Sequence, residues 1–114
     1  MIAQVRPHEL DDWLQAQAAG GATPLVLDVR EPWELQTASV RADGFELAAI
    51  PMNEVPARLA GLDPDRPVAC LCHHGGRSQR VAMFLAQQGF AQVANIAGGI
   101  DAWSQERDAS VPRY

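Results

Sequence analysis

Apolar residues fall along this chain in two kinds of spacing. Short unbroken runs such as "LVLDV" and "VACL" alternate with longer stretches in which apolar positions recur every three or four residues. The short runs predict buried strands, and the wider spacing predicts helices that cover them. Ile2–Val5 forms a first short strand. Pro7 opens a helix in which Leu10, Trp13 and Leu14 share a face, and Gly20-Gly21 ends it. Leu25–Val29 is a second strand, followed by a short helix or turn at "EPWEL", and residues 37–44 read as a loop. "FELAAIPM" is a third strand stopped by Pro51. Asn53 then caps a helix with Pro56 in its first turn and Val55, Leu59 and Leu62 on one side. "DPDRP" is a turn, and Val68–Leu71 a fourth strand. A helix from Ser78 to Gln88 buries Val81, Phe84 and Leu85 and stops at Gly89. Val93–Ile96 is the last strand, and "GGIDAWSQ" begins a final short helix. Trp13, Trp33 and Trp103 read as core or rim packing.

This alternation predicts an α/β domain over residues 1–114, with a mainly parallel sheet and helices on both faces. In such sheets ligands sit beyond the carboxyl ends of the strands. Cys72 follows the fourth strand and the Asp28-Val29-Arg30 segment ends the second, so two unlike segments arrive at one edge.

Composition narrows the chemistry. At 47% apolar the chain can fill a core, and it has no run of the ~20 apolar residues that a membrane span needs. No basic-then-apolar leader precedes the first helix, so the expected address is the cytoplasm and no membrane partner is expected. A net charge of −5 argues against nucleic acid as a partner. All nine basic residues are arginine, which excludes chemistry that needs a lysine. The two cysteines, Cys70 and Cys72, are too close for a disulfide framework and read as reduced thiols.

The segment "CLCHHGGRSQRVAMFL" (70–85) carries the candidate chemistry. Gly75 and Gly76 allow positive φ, so the backbone can curl and turn its amides inward around an anion. The following helix aims its N-terminus at the same spot. A thiol there is stabilised as the thiolate, the nucleophilic form. His73, His74, Arg77 and Arg80 add local positive charge. Cys72 is therefore the candidate catalytic residue, with His73, His74, Gly75, Gly76, Arg77 and Ser78 as candidate substrate-binding residues. For Arg77 the alternative is a brace for the loop. Cys70 lies inside the apolar strand and reads as a core side chain. Asp28 and Arg30 read as a structural pair supporting the site, the alternative being contact with substrate. Cys70, Cys72, His73 and His74 are nearly adjacent and cannot readily surround a tetrahedral ion, so no metal site is expected.

These segments resemble the rhodanese (sulfurtransferase) family. "CHHGGRS" is similar to its Cys-x-x-Gly-x-Arg-Ser pattern, "LDVREPWE" to its Asp-Val-Arg-Glu segment, and "NIAGGIDAW" to its Gly-Gly-x-x-Ala-Trp segment, in the family's order. The resemblance implies a rhodanese-like, three-layer α/β/α fold around a five-stranded sheet, and a Cys72 persulfide that carries sulfane sulfur. It implies a small anionic donor such as thiosulfate, a cyanide-like or thiol acceptor, and no cofactor; a sulfur-accepting protein is a further partner. Family members often carry Gly-His-Ile-Pro-Gly-Ala before the third strand. Here "TASVRADGFELAAIPM" stands instead, so the resemblance does not extend to that loop.

Two other readings share the thiolate. One is a relay or sensing module that passes persulfide to one protein without turnover. The other is a cysteine phosphatase or arsenate reductase, but those phosphatases place five residues between cysteine and arginine, and this loop has four. A smaller cradle suits a single sulfur better than a tetrahedral phosphate.

Overall fold

The computed structural model describes residues 2–114. Five strands, β1 (Ala3–Val5), β2 (Leu25–Asp28), β3 (Glu46–Ala49), β4 (Val68–Leu71) and β5 (Val93–Ile96), form one sheet in the order β1-β5-β4-β2-β3, and every pairing is parallel. The helices are α1 (Leu10–Ala18), α2 (Pro32–Thr37), α3 (Val55–Arg58), α4 (Gly76–Gln87) and α5 (Gly99–Glu106). β2 and β4 are buried at every position, as expected of central strands covered on both faces.

Alternation along the central strands splits the core in two. Val26, Ala69 and Leu71 face Leu10 and Leu14 of α1 and Ile100 and Trp103 of α5. Leu25, Leu27, Val68, Cys70 and Cys72 face Val55 of α3 and Val81, Ala82 and Leu85 of α4. Cys72 thus continues the β4 alternation onto the α4 side.

The strands lie where the apolar runs predict, with β1 one residue shorter at its start, β2 one residue shorter at its end, and β3 confined to the middle of its run. The helices and their caps differ from expectation at four points. The expected helix after Asn53 is broken into a 3-10 turn (Met52–Glu54), the single turn of α3 and a second 3-10 turn (Leu59–Gly61). Asn53 caps nothing: the cap position of the first turn is Pro51, whose side chain has no acceptor to offer. α4 begins two residues before Ser78, because Gly75 takes the left-handed conformation (φ 110°) at its cap. Gly76 is instead its first helical residue with negative φ, so positive φ is confined to one loop glycine. Residues 38–43 are irregular, yet Ala38 and Val40 are buried against the α1/α5 core. Trp103 is core and Trp13 partly buried, whereas Trp33 is 62% exposed and meets Tyr114 edge-on at the rim.

Candidate functional site

The site forms where β4 and β2, hydrogen-bonded neighbours, end side by side. Asp28 pairs with Leu71, and the Val29 N–H donates to the Leu71 carbonyl at 2.9 Å. Cys72 follows immediately. The Gly75 N–H donates to its sulfur at 3.1 Å, and the Ser78 Oγ lies 3.2 Å from it. The curl expected from His73 to Ser78 therefore reaches the sulfur through one amide and one hydroxyl. Cys72 is only 1% exposed, tucked against the apolar side of α4 at the floor of a cleft. That cleft has a volume of about 370 Å³ and is lined by Cys72, His73, His74, Gly76, Arg77 and Arg80.

The loop is held from behind by α5. The Ile100 and Asp101 N–H groups donate to the Cys72 and His73 carbonyls at 2.9 and 3.2 Å. This approach leaves no room at Gly99: a Cβ there would stand 2.4 Å from the His73 carbonyl oxygen. The "GGIDAW" segment thus acts on the site through backbone contact.

The arginines divide the work. Arg77 lines the cleft but gives both terminal nitrogens to the Glu34 carboxylate of α2, each at 2.7 Å. It braces the loop, through a carboxylate distant in sequence. Glu34 also accepts from the Glu31 N–H at 2.9 Å and the Tyr114 hydroxyl at 2.8 Å. The Arg77 guanidinium holds the Glu34 carboxyl down to about 2, against burial, which works the other way. Among the described residues Arg80 has no carboxylate within ion-pair distance, which leaves it as the cleft's unneutralised guanidinium.

Asp28 and Arg30 do not line the cleft. Arg30 is fully buried, holds the Asp28 carboxylate at 2.9 and 2.8 Å, and reaches the Glu34 carbonyl and the Tyr114 hydroxyl. The pair supports Glu34, which in turn supports Arg77. His73 stacks between His74 and Tyr114, with centroids 3.9 Å apart on each side, and forms one wall. Cys70 is fully buried in the core, and burial pushes its thiol up to about 12, so it stays protonated. Among the described residues no three His, Cys, Asp or Glu side chains converge as a metal set would. A larger cleft of about 460 Å³, bordered by Asp11, Arg41, Trp103 and Arg107, is lined by no cysteine, serine, threonine, histidine or tyrosine.

Sequence reasoning missed Glu34, Asn95 and Tyr114. Glu34 lay inside the quoted "LDVREPWE", so a signal existed. Asn95 is a polar residue in a buried strand, which demands a partner. For Tyr114 nothing near it in sequence gave a signal.

A sequence model of the rhodanese-like domain matches residues 7–106. A rhodanese-like/PpiC domain-containing protein of Arabidopsis thaliana is 41% identical over 93 residues, covering 78% of this chain and 30% of its own length. The chain thus spans less than a third of that relative. A thiosulfate sulfurtransferase of Pseudomonas fluorescens is 34% identical over 89 residues, 78% of each chain. A crystal structure of a rhodanese-related protein from Thermoplasma volcanium superposes with a TM-score of 0.70 at 30% identity, over 92% of this chain and 93% of the other. Among the described residues, no helix is long and apolar enough to cross a membrane.

Proposed function

The chain belongs to the rhodanese-like domain family of sulfurtransferases, and on that premise we propose that Cys72 carries sulfane sulfur as a persulfide from thiosulfate, or a similar donor, to a thiophilic acceptor. In the first half-reaction the Cys72 thiolate attacks the outer sulfur of thiosulfate. A new S–S bond forms as the donor's S–S bond breaks, and sulfite leaves with the bonding pair. The persulfide keeps one negative charge. In the second, cyanide or another thiol takes the outer sulfur and the Cys72 thiolate returns.

The observation that carries this reading is the contact set on one sulfur: the Gly75 amide at 3.1 Å and the Ser78 hydroxyl at 3.2 Å, at the floor of a cleft whose wall includes an unneutralised arginine. A hydrogen bond to an anionic sulfur stabilises it by about 1.5–3 kcal/mol; the Gly75 amide supplies one to the Cys72 thiolate, and the Ser78 hydroxyl stands within reach of a second. Arg80, and the first turn of α4 with its unpaired amides, offer the donor's sulfonate end a positive surface. We assign the role of nucleophile to Cys72, substrate contact to His73, His74, Gly76 and Arg80, and a bracing role to Arg77. Unpaired thiols at both cysteines agree with a reducing, cytoplasmic setting.

The test is turnover of thiosulfate with cyanide, read as thiocyanate. Ping-pong kinetics that vanish in Cys72→Ser support the reading. Hydrolysis of a small aryl phosphate without sulfur transfer would overturn it in favour of phosphatase chemistry. Sulfur loading without turnover to cyanide or small thiols would favour the protein-relay alternative.

A further inference from the structure

Ser78 is fully buried, and its single hydroxyl proton has two claimants. The Cys72 sulfur lies 3.2 Å from Ser78 Oγ, and Asn95 Oδ1 lies 2.5 Å from the same atom. The Asn95 amide is fixed in orientation by its other neighbours. Its NH2 group donates to the Gly75 carbonyl at 3.2 Å and to Gln4 Oε1 at 2.9 Å. A backbone carbonyl can only accept, so the NH2 must face Gly75 and the Asn95 oxygen must face Ser78. Asn95 is itself only 4% exposed, within β5.

The arrangement gives the proton a direction. While Cys72 is a neutral thiol, its S–H can donate to Ser78 Oγ, and Ser78 donates to Asn95: every group is satisfied. When the sulfur is anionic it needs the Ser78 proton, and turning the hydroxyl leaves the buried Asn95 oxygen without a donor. The two states therefore compete for one proton. Of the charged and titratable groups near the sulfur, Arg77 and Arg80 of α4 and His73 and His74 of the loop line the cleft, and the Cys70 thiol of β4 is buried in the same core cluster as Cys72; Asn95 carries no charge and does not line the cleft.

We propose that Asn95 is a positioning residue that acts through Ser78: by holding the serine proton it withholds a hydrogen bond from the Cys72 sulfur and restrains formation of the thiolate. The inference rests on the reading of Cys72 as the nucleophile and adds a residue that touches neither the sulfur nor the cleft. It yields opposite signs for two substitutions at one position. Asn95→Leu keeps the number and branching of the side-chain heavy atoms and removes the competing acceptor, so the thiolate gains the Ser78 bond. Asn95→Asp replaces the oxygen by a stronger acceptor that carries charge, so the thiolate is disfavoured further.

The experiment is the rate of Cys72 alkylation by iodoacetamide, read at that site by mass spectrometry, at about pH 6.5, some two units below the ordinary thiol value. Asn95→Leu is expected to label at least about threefold faster than wild type, and Asn95→Asp at least about threefold slower. In a Ser78→Ala background Asn95→Leu is expected to change the rate by less than about 1.5-fold, because the shared proton is gone. A purely structural role would loosen the site and raise labelling in both backgrounds. Equal acceleration in the Ser78→Ala background, or no acceleration in the folded single variant, overturns the inference. Should Asn95→Leu not fold, unchanged or faster labelling of Asn95→Asp overturns it alone. If the labelling pattern holds but thiosulfate never loads Cys72, Asn95 keeps its role and the sulfur-transfer reading fails by itself.

Discussion

Replacing Glu34 by glutamine removes the charge that anchors Arg77 while keeping the shape of the side chain. The Glu34 side chain is 3% exposed and that of Arg77 31%. Removing one partner of a fully buried pair costs about 3–5 kcal/mol. Water can reach the half-open Arg77 and repay part of this, which brings the expected loss to about 2–3 kcal/mol. Glutamine would also turn an NH2 group towards one of three donors: Arg77, the Tyr114 hydroxyl or the Glu31 N–H. The carboxyl's fall from 4.5 to about 2 gives a second route to the magnitude. At about 1.4 kcal/mol per unit it amounts to roughly 3 kcal/mol. The folded value is depressed, so the stabilisation is complete above the unfolded carboxyl's value and is lost as pH falls towards about 2. Thermal and urea unfolding of wild type and Glu34→Gln should differ at pH 7 by about 2–3 kcal/mol, or roughly 10 °C in Tm. At about pH 3 the difference should shrink to less than half. A gap below about 0.5 kcal/mol at pH 7, or one that does not close on acidification, would refute the account of Arg77 as a brace held by an ionised Glu34.

Other substitutions probe separate parts of the site. Gly99→Ala places a Cβ 2.4 Å from the His73 carbonyl oxygen at a positive φ of 60°, and urea unfolding should show a loss of at least about 2 kcal/mol. Arg80→Ala should raise KM for thiosulfate about fivefold with kcat within about twofold, the effect of roughly 1 kcal/mol of binding; steady-state kinetics decide it, and a fall in kcat alone would contradict the assignment. Cys70→Ala should leave sulfur loading intact by intact-mass measurement, since that thiol is buried in the core and held protonated.

The sheet was legible because its signal is local. Leu25–Val29, Val68–Leu71 and Val93–Ile96 are short apolar runs, and each became a strand within a residue of its predicted bounds. The loop around Cys72 was legible as a candidate site for the same reason: cysteine, glycines, arginine and helix start lie within seven residues. The fate of Arg77 was not, because its partner Glu34 is 43 positions away and meets it only when α2 packs beside α4. Asn95 likewise gains meaning only when β5 lies beside β4, putting it within reach of Ser78 and Gly75. Gly76 shows the converse. Its pairing with Gly75 suggested two left-handed residues, but once Gly75 makes the turn the helix can begin at once. Asn53 followed the same logic: a good capping side chain is idle when the preceding proline already sets the chain's entry into the turn.

The central claim is that the Cys72 sulfur accepts and holds a second sulfur atom. Intact mass after incubation with thiosulfate, followed by removal of excess donor, measures this directly. Wild type and Cys70→Ala should each gain the mass of one sulfur atom, lose it on addition of cyanide with release of one equivalent of thiocyanate, and Cys72→Ser should gain nothing. A wild-type mass unchanged by thiosulfate and by polysulfide, or a sulfur atom gained equally by Cys72→Ser, would contradict the account.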